Sequence, residues 1–219
     1  MILAERLRGV QFGKSEIEVL NFSGNYNGSG LTTYTFSAVS IGEARSTRKI
    51  IVGIAARASS SSRTISSVTV GGISGTLIGY ELNTTGGYLS GVYFYLFEVP
   101  TGTTADIVIA WSGTMVRCAI GVWTVDNLSS TPYATKSAEY ATNLNLSLNA
   151  KKGGFVTAVG YDNSTGSISI SGLTPDYTGS GMFVCGSSLI TVDETPRTII
   201  VTVDEYSYSV AMSISWESN

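Results

Sequence analysis

The sequence predicts an all-β protein, an antiparallel β-sandwich that is jelly-roll-like, with an N-terminal arm. Three observations carry this. Apolar residues recur with a period of two through most of the chain. Short clusters of Gly, Asn, Asp and Ser separate those runs. No stretch of about 12 residues shows a helical stripe, and the low Lys, Glu and Ala content agrees with that.

In chain order, residues 1–30 stand apart. They hold the charges Glu5, Arg6, Arg8, Lys14, Glu16 and Glu18 and the tract NYNGSG, which reads as an attachment arm. Ile2, Leu3 and Leu7 have the spacing of a helical turn or two. Glu5 interrupts MILAERLRGV and no long apolar run follows, so no secretory signal is expected. One sandwich domain is expected over 31–219. Its first strands fall at 31–40, 48–57, 64–70, 75–82 and 88–99. Gly71-Gly72 lies between TISSVTV and ISGTLIGY, a hairpin turn that needs positive φ. Pro100-Thr101-Gly102 ends the fifth strand. Asp106–Trp111 and 115–125 follow, then 142–149, 154–161, 167–171, 182–191 and 197–203. Asp162–Gly166 is the turn between two of these. From Tyr206 to Trp216 every even residue is large and every odd one small, a long strand with one buried face. That makes about thirteen strands. No internal repeat is evident.

Two strands break the alternation. Val92–Phe97 is apolar or aromatic on both faces, and Ile50–Ala56 nearly so. A sandwich strand normally turns its second face to water. These two need a third layer, a covering loop or a neighbouring subunit. A symmetric oligomer is the sharper of those readings.

Composition sets limits on function. The chain has 219 residues, 13 Lys plus Arg, 16 Asp plus Glu, no His and a net charge of −3. Ser and Thr together number 56, with 25 Gly and 4 Pro. A 43% apolar content excludes disorder, and Gly without a three-residue period excludes collagen. No apolar run is long enough for a spanning helix. The charge balance gives no drive toward nucleic acid or an anionic membrane. The basic clusters Arg45, Arg48, Lys49 and Lys151, Lys152 read as solvated strand ends. Cys118 and Cys185 each sit in an apolar run and read as small core hydrophobes, a disulfide staying open.

Chemistry is sparse. Without His there is no Ser-His-Asp triad and no His-containing zinc motif. A carboxylate pair could still hydrolyse glycosides. Its candidates are Asp106, Asp126, Asp162, Asp176, Asp193, Glu194, Asp204 and Glu205, which mostly read as turn residues bonding their own backbone. Calcium at Asp162-Asn163 or Asp193-Glu194 lacks the D-x-D-x-D-G loop. The Gly-rich tracts at Gly28–Gly30, Gly71-Gly72 and Gly179–Gly181 precede strands, not helices, so they are not phosphate cradles. Sequons at Asn21, Asn27, Asn83, Asn127, Asn145 and Asn163 are expected by chance in so Ser/Thr-rich a chain. The 12 Tyr and 3 Trp could form a sugar-stacking platform, with core positions the default. Catalytic, cofactor-binding and metal residues are therefore expected to be none.

The central block resembles a recurrent domain of tailed-bacteriophage and prophage virion proteins. The resemblance rests on RKIIVGIAAR, the turn SVTVGG, the corner VPTGTT and the strand RCAIGVWTVD, with GGFVTAVGY similar to the strand that follows. It covers residues 48–161 and consists of scaffold residues. It implies a non-enzymatic virion structural protein: capsid decoration, head spike or fibre, or tail component. It further implies assembly with copies of itself, such as a homotrimer, and docking to other virion proteins through the 1–30 arm. Location in the virion after synthesis in the host cytoplasm would follow, with no cofactor, nucleic acid or membrane. A carbohydrate- or receptor-binding module of a tail fibre, reading a host glycan, is the alternative. A depolymerising enzyme is the third class.

Overall fold

In the computed structural model the chain is described over residues 16–163, 166–204 and 207–219. Among these, the only helix is one 3-10 turn, Thr85–Gly87. The rest is sheet and loop, so the all-β antiparallel fold stands.

The first half holds β1 (Glu18–Asn27), β2 (Leu31–Ser40), β3 (Lys49–Ala58), β4 (Ile65–Val70), β5 (Ile73–Ser74), β6 (Thr76–Asn83), β7 (Leu89–Glu98), β8 (Thr104–Met115) and β9 (Arg117–Asp126). They form an inner sheet in the order β1-β9-β3-β7-β6 and an outer sheet in the order β2-β8-β4-β5. β5 and β6 are the two ends of one strand that changes sheets at Gly75. Counted that way, the orders are 1-8-3-6-5 and 2-7-4-5, the connectivity of a jelly roll.

The second half holds β10 (Leu128–Glu139), β11 (Asn143–Asn145), β12 (Leu148–Ala150), β13 (Phe155–Tyr161), β14 (Ile168–Ser171), β15 (Thr174–Gly179), β16 (Phe183–Leu189), β17 (Glu194–Arg197), β18 (Ile200–Val203) and β19 (Val210–Ser218). Its inner sheet, β10-β19-β13-β16-β15, repeats the first position by position. Its outer layer, β11-β18-β14 beside β12-β17, repeats β2-β8-β4 with two strands broken. Register agrees: Ile51 stands opposite Trp123 in the first half, and Phe155 opposite Trp216 in the second. The chain is thus two jelly rolls of one topology, not one sandwich over 31–219. The repeat lies in pattern and register, which is why identity along the sequence does not reveal it.

The two inner sheets pack face to face, giving four layers and three cores. The first core lies between the first roll's sheets and holds Ile50, Val52, Ile54, Tyr93 and Trp111. The middle core lies between the rolls and holds Ile51, Phe94, Trp123, Phe155, Val159, Phe183 and Trp216. The third lies within the second roll, around Leu144, Val156, Ile170 and Val201. β1 lies against β15 and β6 against β10, as a pseudo-twofold relation requires. Each large apolar side chain so buried contributes about 1.5–3 kcal/mol.

This arrangement covers the doubly apolar strands within one chain. Every residue of β3 is buried, with even positions in the first core and odd ones in the middle core. Their coating needs no second copy, which removes the observation that favoured an oligomer. The last strand also departs from expectation. Its small face is buried too, because Ser213 Oγ donates to the Leu146 carbonyl and Ser215 Oγ to that of Asn149, each at 2.8 Å. Tyr206, the expected start of that strand, lies outside the described residues, and regular pairing begins at Val210.

The segment 1–30 does not stand apart from residue 16 onward. β1 pairs along its length with β9, and Ile17 is buried in the middle core. Residues 1–15, the remainder of the expected arm and its helical turn, lie outside the described residues. The Gly71-Gly72 turn is as expected: φ is +58° and +81°, and Val70 pairs with Ile73 across it.

Candidate functional site

The basic residues at the start of β3 are not solvated. Arg48 is 1% exposed. Its guanidinium donates to the backbone carbonyls of Ile41, Gly42, Glu43, Val99, Thr101 and Gly102 at 3.1 Å or less. Lys49 is buried and donates to the carbonyl of Leu128, the first residue of β10 in the second roll, at 2.7 Å. Arg45 is half-buried and pairs with Glu18, Glu43 and Asp126. Of the second cluster, Lys152 is exposed, and the Lys151 ammonium lies 5.7 Å from the Tyr133 ring centroid.

Both cysteines are free and buried. Cys118 faces the first core and Cys185 the middle one, so the inner sheet stands between them. Burial pushes both thiols up.

The candidate carboxylates are spread over different layers, each with local partners. Asp106 accepts from the Ala38 N–H at 2.8 Å. Asp126 accepts from the Thr47 hydroxyl at 2.5 Å and the Asn127 N–H at 3.0 Å. Asp176 accepts from the Trp123 indole at 2.8 Å, across the junction of the rolls. Burial raises its pKa, and the bonds from Trp123 and Ser187 oppose that. Asp193 accepts from the Lys152 N–H, Glu194 from Arg197 and Asp204 from Ser167. Asp162 is buried at the end of β13. Glu205 lies outside the described residues. Among the described residues, Glu139 on β10 lies near enough to Glu81 on β6 to be raised by it, a carboxylate neighbourhood that the sequence reading did not single out. Glu139 is exposed, raised by burial first and Glu81 second, and the Ser137 hydroxyl already bonds Glu81. Among the described residues no group of three His, Cys, Asp or Glu side chains is placed to hold a metal.

At the opposite end of the middle core, Arg57 is buried between the rings of Tyr88 and Tyr208, 4.5 Å from each centroid. It stands in register with Arg117. Burial lowers its pKa. This is a cation clamped by aromatic faces, joining β3 to the turn before β19.

The three tryptophans are all core, as the default reading has it. The tyrosines divide. The inner sheet of the first roll overhangs its outer sheet, because β5 is two residues long while β6 runs on for eight. On the overhang, Tyr80 stands opposite Tyr93 and Leu77 opposite Tyr95. A bulge between Leu77 and Gly79 turns both Leu77 and Tyr80 to this face, while Ile78 packs into the middle core. Simple alternation puts Tyr80 and Ile78 together, so the sequence hides this shelf. Arg63, from the β3–β4 loop, closes one side of a cleft of about 240 Å³ lined by Ile65, Leu77, Tyr80, Tyr93 and Tyr95. Tyr80 is 55% exposed, and its ring is stacked on Tyr93 at 5.9 Å and 27°. Tyr93 in turn meets Trp111 edge-on at 5.7 Å. Burial raises the pKa of the Tyr93 and Tyr95 phenols. Arg63 Nε is buried with no hydrogen-bond partner among the described residues.

No known protein family matches the chain, and no curated protein matches it either.

Proposed function

We propose that this chain is a non-enzymatic structural component of a tailed-phage virion, a rigid double jelly roll carried on the particle. The observation behind this is where the family-like residues fall. Arg48 of RKIIVGIAAR binds the backbone of the VPTG corner. Gly53 of the same strand and Gly121 of GVW stand side by side, and the second roll seats against them. Trp123 fills the middle core. Three of the four segments of the resemblance in the first roll are thus joints of the architecture, and the fourth, SVTVGG, is the hairpin turn from β4 to β5. A charge-poor Ser/Thr surface over three apolar cores suits a part that must persist outside a cell. The test is mass spectrometry of purified particles from a host that carries the gene. The chain is expected to co-purify at a fixed copy number, and its recovery only from the soluble lysate would defeat the reading.

The Tyr80 shelf favours a second activity on the same part, binding of a saccharide. An exposed aromatic ring backed by a second ring is the surface on which a pyranose stacks. Loss of glycan retention in Tyr80→Ala, with the fold intact by circular dichroism, is the expected result.

A further inference from the structure

We infer that the cleft at the edge of the first jelly roll takes a carboxylate-bearing pyranose, stacked on Tyr80 with its carboxylate on Arg63; this rests on the saccharide reading of the shelf. Three observations carry it. First, the cleft carries charge of a single sign. Among the described residues Arg63 is the one ionic residue of its lining, which otherwise consists of Tyr, Leu, Ile and Thr. Glu81, the nearest acid along β6, is turned away and bonded by Ser137 on β10.

Second, Arg63 is held in place without being used. Its guanidinium lies against Gly113, where a Cβ would come within 2.6 Å of its Cζ, so β8 leaves room for it. Yet no hydrogen bond or ion pair ties it among the described residues, in contrast to Arg45, Arg48, Arg57, Arg117 and Arg197. A partly buried guanidinium with an unpartnered nitrogen gains most from an anion with matching paired oxygens. Third, the cleft of about 240 Å³ is smaller than a drug-sized pocket and suits one sugar ring. Tyr93 and Tyr95, which line the cleft, add phenol groups able to hydrogen-bond ring hydroxyls.

The experiment titrates the full chain by saturation-transfer NMR and calorimetry with three probes: methyl glucuronide, its uncharged amide and methyl glucoside. The glucuronide is expected to bind about tenfold more tightly than the other two. Arg63→Gln is expected to level the three, and Tyr80→Ala to abolish all. Equal affinity for the three probes in the wild type, still dependent on Tyr80, would overturn the acidic-sugar inference while leaving the saccharide reading in place. No binding of any probe would remove both. Should Arg63→Gln fail to fold, Arg63→Lys and the wild-type probe comparison decide. Lysine keeps the charge, so it should retain the preference for glucuronide over its amide; loss of that order in a folded Lys variant would count against pairing through charge.

Discussion

Gly53 on β3 and Val159 on β13 meet at the centre of the molecule, where a Cβ on the glycine would fall 2.5 Å from Val159 Cγ2. Beside it, a Cβ on Gly121 would fall 2.8 Å from Cys185 Sγ. The paired glycines open a hollow in the first inner sheet, and two side chains of the second inner sheet fill it. The approach of the two rolls is therefore set by missing side chains as much as by present ones.

Gly53→Ala should overpack that seam. Its cost is expected at about 1–3 kcal/mol in urea unfolding, the usual range for an extra methyl in a close-packed core. Val159→Ala alone should also destabilise, by leaving a void. Combined, the two should cost less than their sum, since the alanine at 159 makes room for the one at 53. Strict additivity would show that the contact does not set the spacing.

Arg48 gives a second test of architecture. Its donors satisfy carbonyls from two loops, 41–43 and 99–102, and no carboxylate is among those partners. Arg48→Met should cost about 3 kcal/mol or more, because several buried carbonyls lose their donor together. Arg48→Lys should recover only part of this, as one ammonium cannot span both loops. Urea midpoints of the three proteins give the ranking.

Much of this fold is legible in the residues, and its failures have physical causes. The hairpin at Gly71-Gly72 and the strand centres follow from turn chemistry and period two. The expectation of solvated basic clusters failed at Arg48 and Lys49 because backbone carbonyls, which carry no side-chain signature, are their partners. β1, β10 and β15 were missed because edge strands rich in Asn, Ser, Thr and Tyr carry little apolar alternation. The second roll was missed because its equivalents, such as Trp216 for Trp123, preserve position in the sheet and little else. Of the candidate cleft, Tyr80 was concealed by a bulge, and Arg63 by lying in a Ser-rich loop.

Asp126 should make stability acid-sensitive. Burial pushes its pKa up, but the Thr47 hydroxyl, Arg45 and the Asn127 N–H together bring it below the usual carboxylate value. A folded pKa below the unfolded one gives stability that is present above about pH 4 and is lost as pH falls through the folded value. Asp126→Asn should flatten that acid limb. At neutral pH it should cost about 1–2 kcal/mol through weakened hydrogen bonds at a buried site. A pH series of urea midpoints reads both effects.

The thiols of Cys118 and Cys185 should be silent in the native protein. Both are buried, and burial disfavours the thiolate that reagents attack. Ellman's reagent is expected to label neither within minutes in buffer and both in guanidinium. Rapid native labelling of one would mean that its core opens locally.

The middle core should make the two rolls one cooperative unit. Separating them would bare Phe155, Val159, Phe183, Ile214 and Trp216 on one side and Ile51, Phe94 and Trp123 on the other. Each of these large side chains loses about 1.5–3 kcal/mol when exposed, more than a marginally stable domain can spare in total. Residues 128–219 produced alone should therefore bind a hydrophobic dye and aggregate, and the whole chain should unfold in a single transition by fluorescence and circular dichroism alike. Two resolved transitions, with a soluble isolated half, would show instead that each roll is stable by itself and that the seam between them is dispensable.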